Sequence, residues 1–407
     1  MRGRLSIHIV LGLTVIVGAS PYFPTEQDTL NESKKQADSP EKVKKHIYKH
    51  TPQTDLEIFI HRPNDWRSTD NRPAIVFFFG GAFRTGTIKE FARHANYFAG
   101  RGMVCARADY RVKDRHGTMP DKCVEDAKSA IRWLRGNANR FGIDPYRIVA
   151  SGHSAGGHIS ACSVTTIGLE AEGEDLSISS KPNLLVLYST SLDIHWKYAE
   201  YLGAKEITHR LSPYDNLTPD LCPAILFYGI EDSGHLRDGL GFAYKSGVLG
   251  NTVELYAAED QAHNFHKYSP WFERTLYLMD QFLVKHGYLA GEPTIDLPPG
   301  KLEMRRMTSS DSGLLEHLNH TPLHIAAQSG DKERVQALIA DGMDVNARNR
   351  WGHTPLYLAA FLPGDMELVQ VLTDAGARDP LLCYVASYGD REVAARLISQ
   401  GADVNVN

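Results

Sequence analysis

Gly152-His153-Ser154-Ala155-Gly156-Gly157-His158 is the stretch whose reading decides the fold. Residues 147–151, Arg-Ile-Val-Ala-Ser, are short, apolar and partly β-branched, and read as a buried strand; the Ala- and Ser-rich residues 154–167 read as a helix. A serine hydroxyl is a poor nucleophile until a base takes its proton, and it must project from the backbone to reach a carbonyl carbon. Glycines on both sides permit the tight strand-to-helix turn that would expose Ser154. Five residues are a short match, so the weight falls on what stands elsewhere in the chain.

Working outward, short apolar runs alternate with amphipathic ones. Residues 47–50 and 56–61 read as an opening hairpin, 74–79 as a strand buried on both faces, 91–99 as a helix and 103–107 as a strand. Residues 123–141 read as one long helix with Val124, Ala127, Ile131 and Leu134 on its apolar side. Strands follow at 184–188, 224–228 and 253–256, and helices near 238–249 and 271–286. Such alternation predicts an α/β fold, a mostly parallel sheet with helices on both faces. Residues 194–217 break the pattern and are expected to form a small lid over the carboxyl edge of the sheet.

A serine nucleophile on this architecture needs an acid and then a base downstream of it. The strand at 224–228 runs into Gly229-Ile230-Glu231-Asp232, which offers two adjacent carboxylates just past its carboxyl end. The strand at 253–256 leads to Glu259-Asp260-Gln261-Ala262-His263-Asn264-Phe265-His266, in which His263 stands where the base belongs and His266 is its rival. Phe79-Gly80-Gly81-Ala82-Phe83 follows the third strand, and its small residues let backbone N–H groups face a developing oxyanion. Gly81 and Ala82, with the N–H of Ala155 after the nucleophile, are the expected donors.

Together these four pieces resemble the α/β-hydrolase superfamily, in particular the esterase/lipase group of hormone-sensitive-lipase-like and feruloyl- or acetyl-esterase-like enzymes. The resemblance extends over about residues 47–288 and includes Ala108-Asp109-Tyr110-Arg111, Glu125-Asp126-Ala127, Gly142-Ile143-Asp144-Pro145 and Leu211-Ser212-Pro213. It implies Ser154 as nucleophile, His263 as general base and then acid, and Asp232 rather than Glu231 as its orienting carboxylate. It also implies acyl transfer without a metal or organic cofactor, on small acyl esters such as acetyl or feruloyl decorations of carbohydrate. Two departures stand out: Phe79-Gly80-Gly81-Ala82-Phe83 replaces the family's H-G-G-G-[WF], and His263-Asn264-Phe265 replaces His-Gly-Phe. An amidase or exopeptidase of the same fold, and a degenerate hydrolase serving as a scaffold for binding, are the competing readings.

The rest of the chain has a different character. Thr321-Pro322-Leu323-His324-Ile325-Ala326-Ala327 returns 33 residues later as Thr354-Pro355-Leu356-Tyr357-Leu358-Ala359-Ala360, with a degenerate third copy at 382–386. These residues resemble the ankyrin repeat over about 313–407, a small all-α domain. The resemblance implies protein contact, around Asn346, Arg348, Arg350 and Trp351, and a short array is expected to pack on the hydrolase domain or a partner. At the other end, Arg2 and Arg4 precede an apolar run at 5–17 and then Gly18-Ala19-Ser20, the order of a secretory signal. The expected organisation is a signal at 1–20, a linker at 21–45, the hydrolase domain at 46–290, a linker at 291–312 and repeats at 313–407. Export to the periplasm or beyond follows from the signal, or membrane anchorage if it is not cut, with no stable span after cleavage. With 407 residues, 42% hydrophobic, and a net charge of −5, the chain has no electrostatic case for nucleic acid. Its five cysteines, Cys105, Cys123, Cys162, Cys222 and Cys383, show no metal-ligand spacing, and those in apolar segments read as buried thiols.

Overall fold

Strand β3 (Arg72–Phe78) sends Ala74, Val76 and Phe78 into one apolar core and Ile75 and Phe77 into another, the period of two that a sheet buried on both faces demands. The computed structural model describes residues 43–194, 208–300, 303–307, 321–349, 354–360 and 366–378. The expected signal, nearly all of the first linker, the third repeat copy with Cys383, and Arg350 and Trp351 lie outside the described residues.

Nine strands form the sheet in the order β1-β2-β4-β3-β5-β6-β7-β8-β9. The remaining strands are β1 (Val43–His50), β2 (Asp55–His61), β4 (Val104–Ala108), β5 (Ile143–His153), β6 (Leu184–Tyr188), β7 (Ala224–Gly229), β8 (Val253–Ala258) and β9 (Arg305–Met307). Pairing is parallel from β4 through β8 and antiparallel at both margins, where β1 and β2 form the expected hairpin and β9 joins β8. Helices α1 (Ala92–Gly100) and α5 (Trp271–Lys285) supply one core, with Phe98, Leu276, Met279 and Leu283 fully buried. Helices α2 (Pro120–Gly136), α3 (Ala155–Thr165) and α4 (Ser233–Val248) supply the other, through Val124, Ile131, Ile159, Leu236 and Phe242. Each such side chain contributes roughly 1.5–3 kcal/mol of burial relative to exposure.

Several expected boundaries move. The long helix read at 123–141 starts at Pro120 and breaks at Asn137, and α4 starts at Ser233 rather than near 238. Strand β1 begins at Val43, so residues 43–45 belong to the sheet and not to the first linker. Residues 291–312 are not a plain linker either: Met304 and Met307 are buried and 305–307 pair with β8. Of the expected lid, 195–207 lie outside the described residues, whereas Leu211, Tyr214 and Leu217 pack into the core beside α3 and α4 and none of 208–217 lines the cavity around Ser154. Cys105, Cys123 and Cys162 are buried free thiols, and Cys222 is a free thiol partly covered.

The repeats form helices α6 (Pro322–Ser329), α7 (Lys332–Ala340), α8 (Pro355–Ala360) and α9 (Met366–Asp374) around their own core of Leu323, Ala326, Val335, Leu356, Leu368 and Leu372. The Thr-Pro-Leu-His signature has a local cause. Thr321 caps α6 through its hydroxyl, His324 Nδ1 accepts from the Thr321 N–H at 3.1 Å, and Pro322 takes the position where no N–H is needed. Helix α6 rests against α4 of the hydrolase unit, as expected for a short array. No helix among the described residues is long and apolar enough to cross a membrane.

Candidate active site

The strand order reverses between β3 and β5, and the loops leaving their carboxyl ends face one another there. Ser154 sits between β5 and α3 with φ 51° and ψ −118°, a left-handed backbone that costs about 1–3 kcal/mol in a non-glycine residue. Neighbouring glycines allow it. A methyl group on Gly156 would lie 2.1 Å from the Phe78 carbonyl oxygen, and one on Gly152 would meet the Gly156 backbone at 2.3 Å. The turn is thus wedged against β3, and its strain is held by close backbone packing.

A cavity of about 900 Å³ opens over this turn, lined by Ser154, His263, Gly80, Gly81, Ala82 and Glu90, with Phe272 at one side. Of the two carboxylates past β7, Asp232 lies where α4 begins and Oδ2 accepts from His263 Nδ1 at 2.8 Å. Of the two histidines, His263 reaches the cavity, whereas His266 is fully buried among Tyr188, Phe91 and His94, and burial pushes its imidazole well below the ordinary value. Gly81 and Ala82 both adopt positive φ, 134° and 53°, which turns the loop so that Arg84 and Thr85 N–H donate back to the Gly81 carbonyl. Among the described residues no acceptor meets the N–H of Gly81, Ala82 or Ala155. Ala155 opens α3, where the first N–H groups have no intrahelical partner and the helix dipole favours negative charge.

Two features were not read from the sequence. Asp232 Oδ1 accepts a second imidazole, His235 Nδ1, also at 2.8 Å, so one carboxylate serves two histidines whose rings are 4.4 Å apart. Burial would raise the Asp232 carboxyl, but the hydrogen bonds from His235 and His263 outweigh it and hold it well below the usual carboxylate range. Burial alone would lower His235, but the same carboxylate raises it. The spacing of Asp232 and His235, three apart across the start of a helix, was the available signal.

The second is Glu90, which ties the glycine loop to the end of β5. Its Oε2 accepts the Gly80 N–H at 2.7 Å, and its Oε1 accepts His153 Nδ1 at 2.8 Å and lies 2.8 Å from Lys267 Nζ. Burial would raise this carboxyl; His153 and Lys267 override it and bring it down to about 2. Tyr110 adds a hydroxyl donated to the Phe79 carbonyl at 2.7 Å, and its neighbour Arg111 is locked on buried Asp126 by bonds of 2.8 and 2.7 Å. The Asp-Tyr-Arg and Glu-Asp-Ala stretches of the sequence therefore meet behind the loop. Among the described residues, two side-chain groups have the donors to hold a metal ion, Asp232 with His235 and His263, and Glu90 with His153 and His266.

Comparison with known proteins bears on this geometry. The BD-FAE family model matches residues 60–186, and the family model for ankyrin repeats (3 copies) matches 302–380. The apo structure of Thermogutta terrifontis esterase 2 is similar to this chain at 40% identity, with a TM-score of 0.60, over 63% of this chain and 98% of that one. The chain belongs to the α/β-hydrolase esterases. Among curated relatives, esterase LipC of Mycobacterium tuberculosis is 29% identical over 41% of this chain and 47% of its own length. A probable isoprenylcysteine alpha-carbonyl methylesterase of Oryza sativa is 35% identical over 31% of this chain and 29% of its own. The chain thus spans about half or less of these curated relatives. As an esterase it departs from a bare hydrolase domain in carrying ankyrin repeats on α4.

Proposed function

We propose that the chain hydrolyses esters of short carboxylic acids through a Ser154 acyl-enzyme. The observation that carries this reading is the 2.8 Å bond between Asp232 and His263, with His263 and Ser154 lining one cavity beside Gly81 and Ala82. An ionised carboxylate only accepts, so Asp232 fixes the proton on His263 Nδ1 and leaves Nε2 as the base. His263 Nε2 takes the Ser154 proton as Oγ attacks the ester carbonyl. The resulting oxyanion is met by the N–H groups of Gly81, Ala82 and Ala155. His263 then gives its proton to the leaving alcohol, and a water deprotonated by the same imidazole releases the acid and restores Ser154.

Short acids are supported by the similar Thermogutta esterase, whose structures include propionate- and butyrate-bound forms. Acetyl esters of carbohydrate are narrower substrates within this class, and feruloyl esters are a bulkier aromatic alternative to it, both supported by the resemblance of the sequence alone. The basic, apolar and small-residue order of 1–20 supports export, tested by sequencing the amino terminus of the mature chain. The repeats support a protein partner. Hydrolysis is tested with p-nitrophenyl acetate and butyrate against aminoacyl anilides, together with fluorophosphonate labelling of wild type and Ser154→Ala. Ester turnover with labelling lost in the variant upholds the reading. Preference for anilides would make the chain an amidase, and labelling retained by the variant would overturn the assignment.

A further inference from the structure

At the back of the cavity, three segments converge on polar side chains, two buried and one largely covered, that touch no reacting atom in the proposed hydrolysis. Glu90 comes from the segment before α1, His153 ends β5, and His266 stands in the short 3-10 turn Phe265–Lys267. A ligand atom from each lies within 4.8 Å of the other two, and the His153 and His266 rings are 4.5 Å apart. His266 is fully buried, and neither of its ring nitrogens has a hydrogen-bond partner among the described residues. The same holds for both nitrogens of His94, 3% exposed, whose ring is 6.5 Å from that of His266. Phenylalanine would fill either position in this aromatic cluster without a polar penalty. Buried imidazoles with unused nitrogens call for an ion or a water.

We propose that Glu90, His153 and His266 form a site for a divalent transition cation of the zinc type, which braces the loops carrying the oxyanion donors, the nucleophile and the base. Two imidazoles and a carboxylate are the ligand chemistry such a cation prefers. Glu90 keeps Oε2 on the Gly80 N–H and offers Oε1, displacing its bond from His153. Lys267, whose side chain is one-third exposed, swings from that oxygen toward solvent. Glu90, His94 and His153 all line the cavity, which supplies the entry path. The cation touches no reacting atom; its role is to position.

The test is a titration of the full-length chain, stripped with EDTA, with Co²⁺ and with Zn²⁺. About one equivalent of Co²⁺ should bind with the visible absorption of a low-coordinate site, and Zn²⁺ at a hundredfold its dissociation constant should raise Tm by roughly 5–10 °C. His266→Phe should abolish both responses while keeping the aromatic packing. Glu90→Gln, which keeps an oxygen for Gly80, should weaken binding more than about tenfold. His235→Gln should leave binding intact, because it alters only the rival group at Asp232. Absence of Co²⁺ binding up to millimolar concentration, wild-type binding in Glu90→Gln, or loss of binding in His235→Gln would overturn the site. Should His266→Phe fail to fold, the other two variants decide the matter.

Discussion

His235 and His263 divide one carboxylate between them, each holding a different oxygen of Asp232 at 2.8 Å. The acid of this site is consequently engaged by an imidazole at each oxygen. His235, in the first turn of α4, also ties Asp232 to the helix that follows it.

Replacing His235 by alanine should cost about 1–2 kcal/mol near pH 6. The sign of its pH dependence follows from the raised value of His235. Its charge-linked stability is fully present below the unfolded value of about 6.5 and is lost as pH rises through the folded one. Urea denaturation of both proteins between about pH 6 and 9 should therefore show the gap narrowing toward alkaline pH.

Asp232→Asn should leave the fold intact and lower kcat by roughly 10³–10⁴, since an amide no longer fixes the His263 proton on Nδ1. Because the folded Asp232 carboxyl lies below its unfolded value of about 3.9, its contribution to stability holds above that pH. It disappears only as pH falls through the depressed folded value. Acid unfolding curves of wild type and variant should converge at the acid extreme and separate above it.

Ser154→Gly should abolish ester turnover and yet stabilise the chain by about 1 kcal/mol, because glycine adopts a φ of 51° without the strain serine carries there. A thermal scan showing Ser154→Gly less stable than Ser154→Ala would refute this account of the turn. Gly156→Ala should do the opposite and destabilise by about 3 kcal/mol or more, since its methyl would meet the Phe78 carbonyl at 2.1 Å.

Ending the chain after residue 300 should lower Tm well below that of a chain ending after residue 312. The shorter form loses β9 with buried Met304 and Met307, about 3 kcal/mol of apolar burial, and leaves β8 as a bare edge. Equal melting temperatures for the two truncations would show that β9 contributes nothing.

The parts of the site legible in the sequence were those tied to strand ends. Ser154, Asp232 and His263 each follow a recognisable apolar strand, and glycines mark the loop of Gly81 and Ala82, so order along the chain located them. Glu90 had no such marker. It is one carboxylate in a polar loop, and its value comes from Gly80, His153 and Lys267, which only the folded chain brings to it. Helix α4 starts five residues before the expected position, where Ser233 and Gly234 are weak helix formers that read as loop. Gly239 is there because a side chain would strike the ring of Tyr228 at 2.4 Å. The three residues of β9 are too few for a periodic signal, and pairing with β8 alone makes them a strand.

Helix α6 of the repeats leans on α4, and α4 starts one residue after Asp232. A displacement of the repeats would therefore run down a single rod into the carboxylate that holds His235 and His263. In this chain the repeat array and the carboxylate behind His263 are mounted on a common shaft.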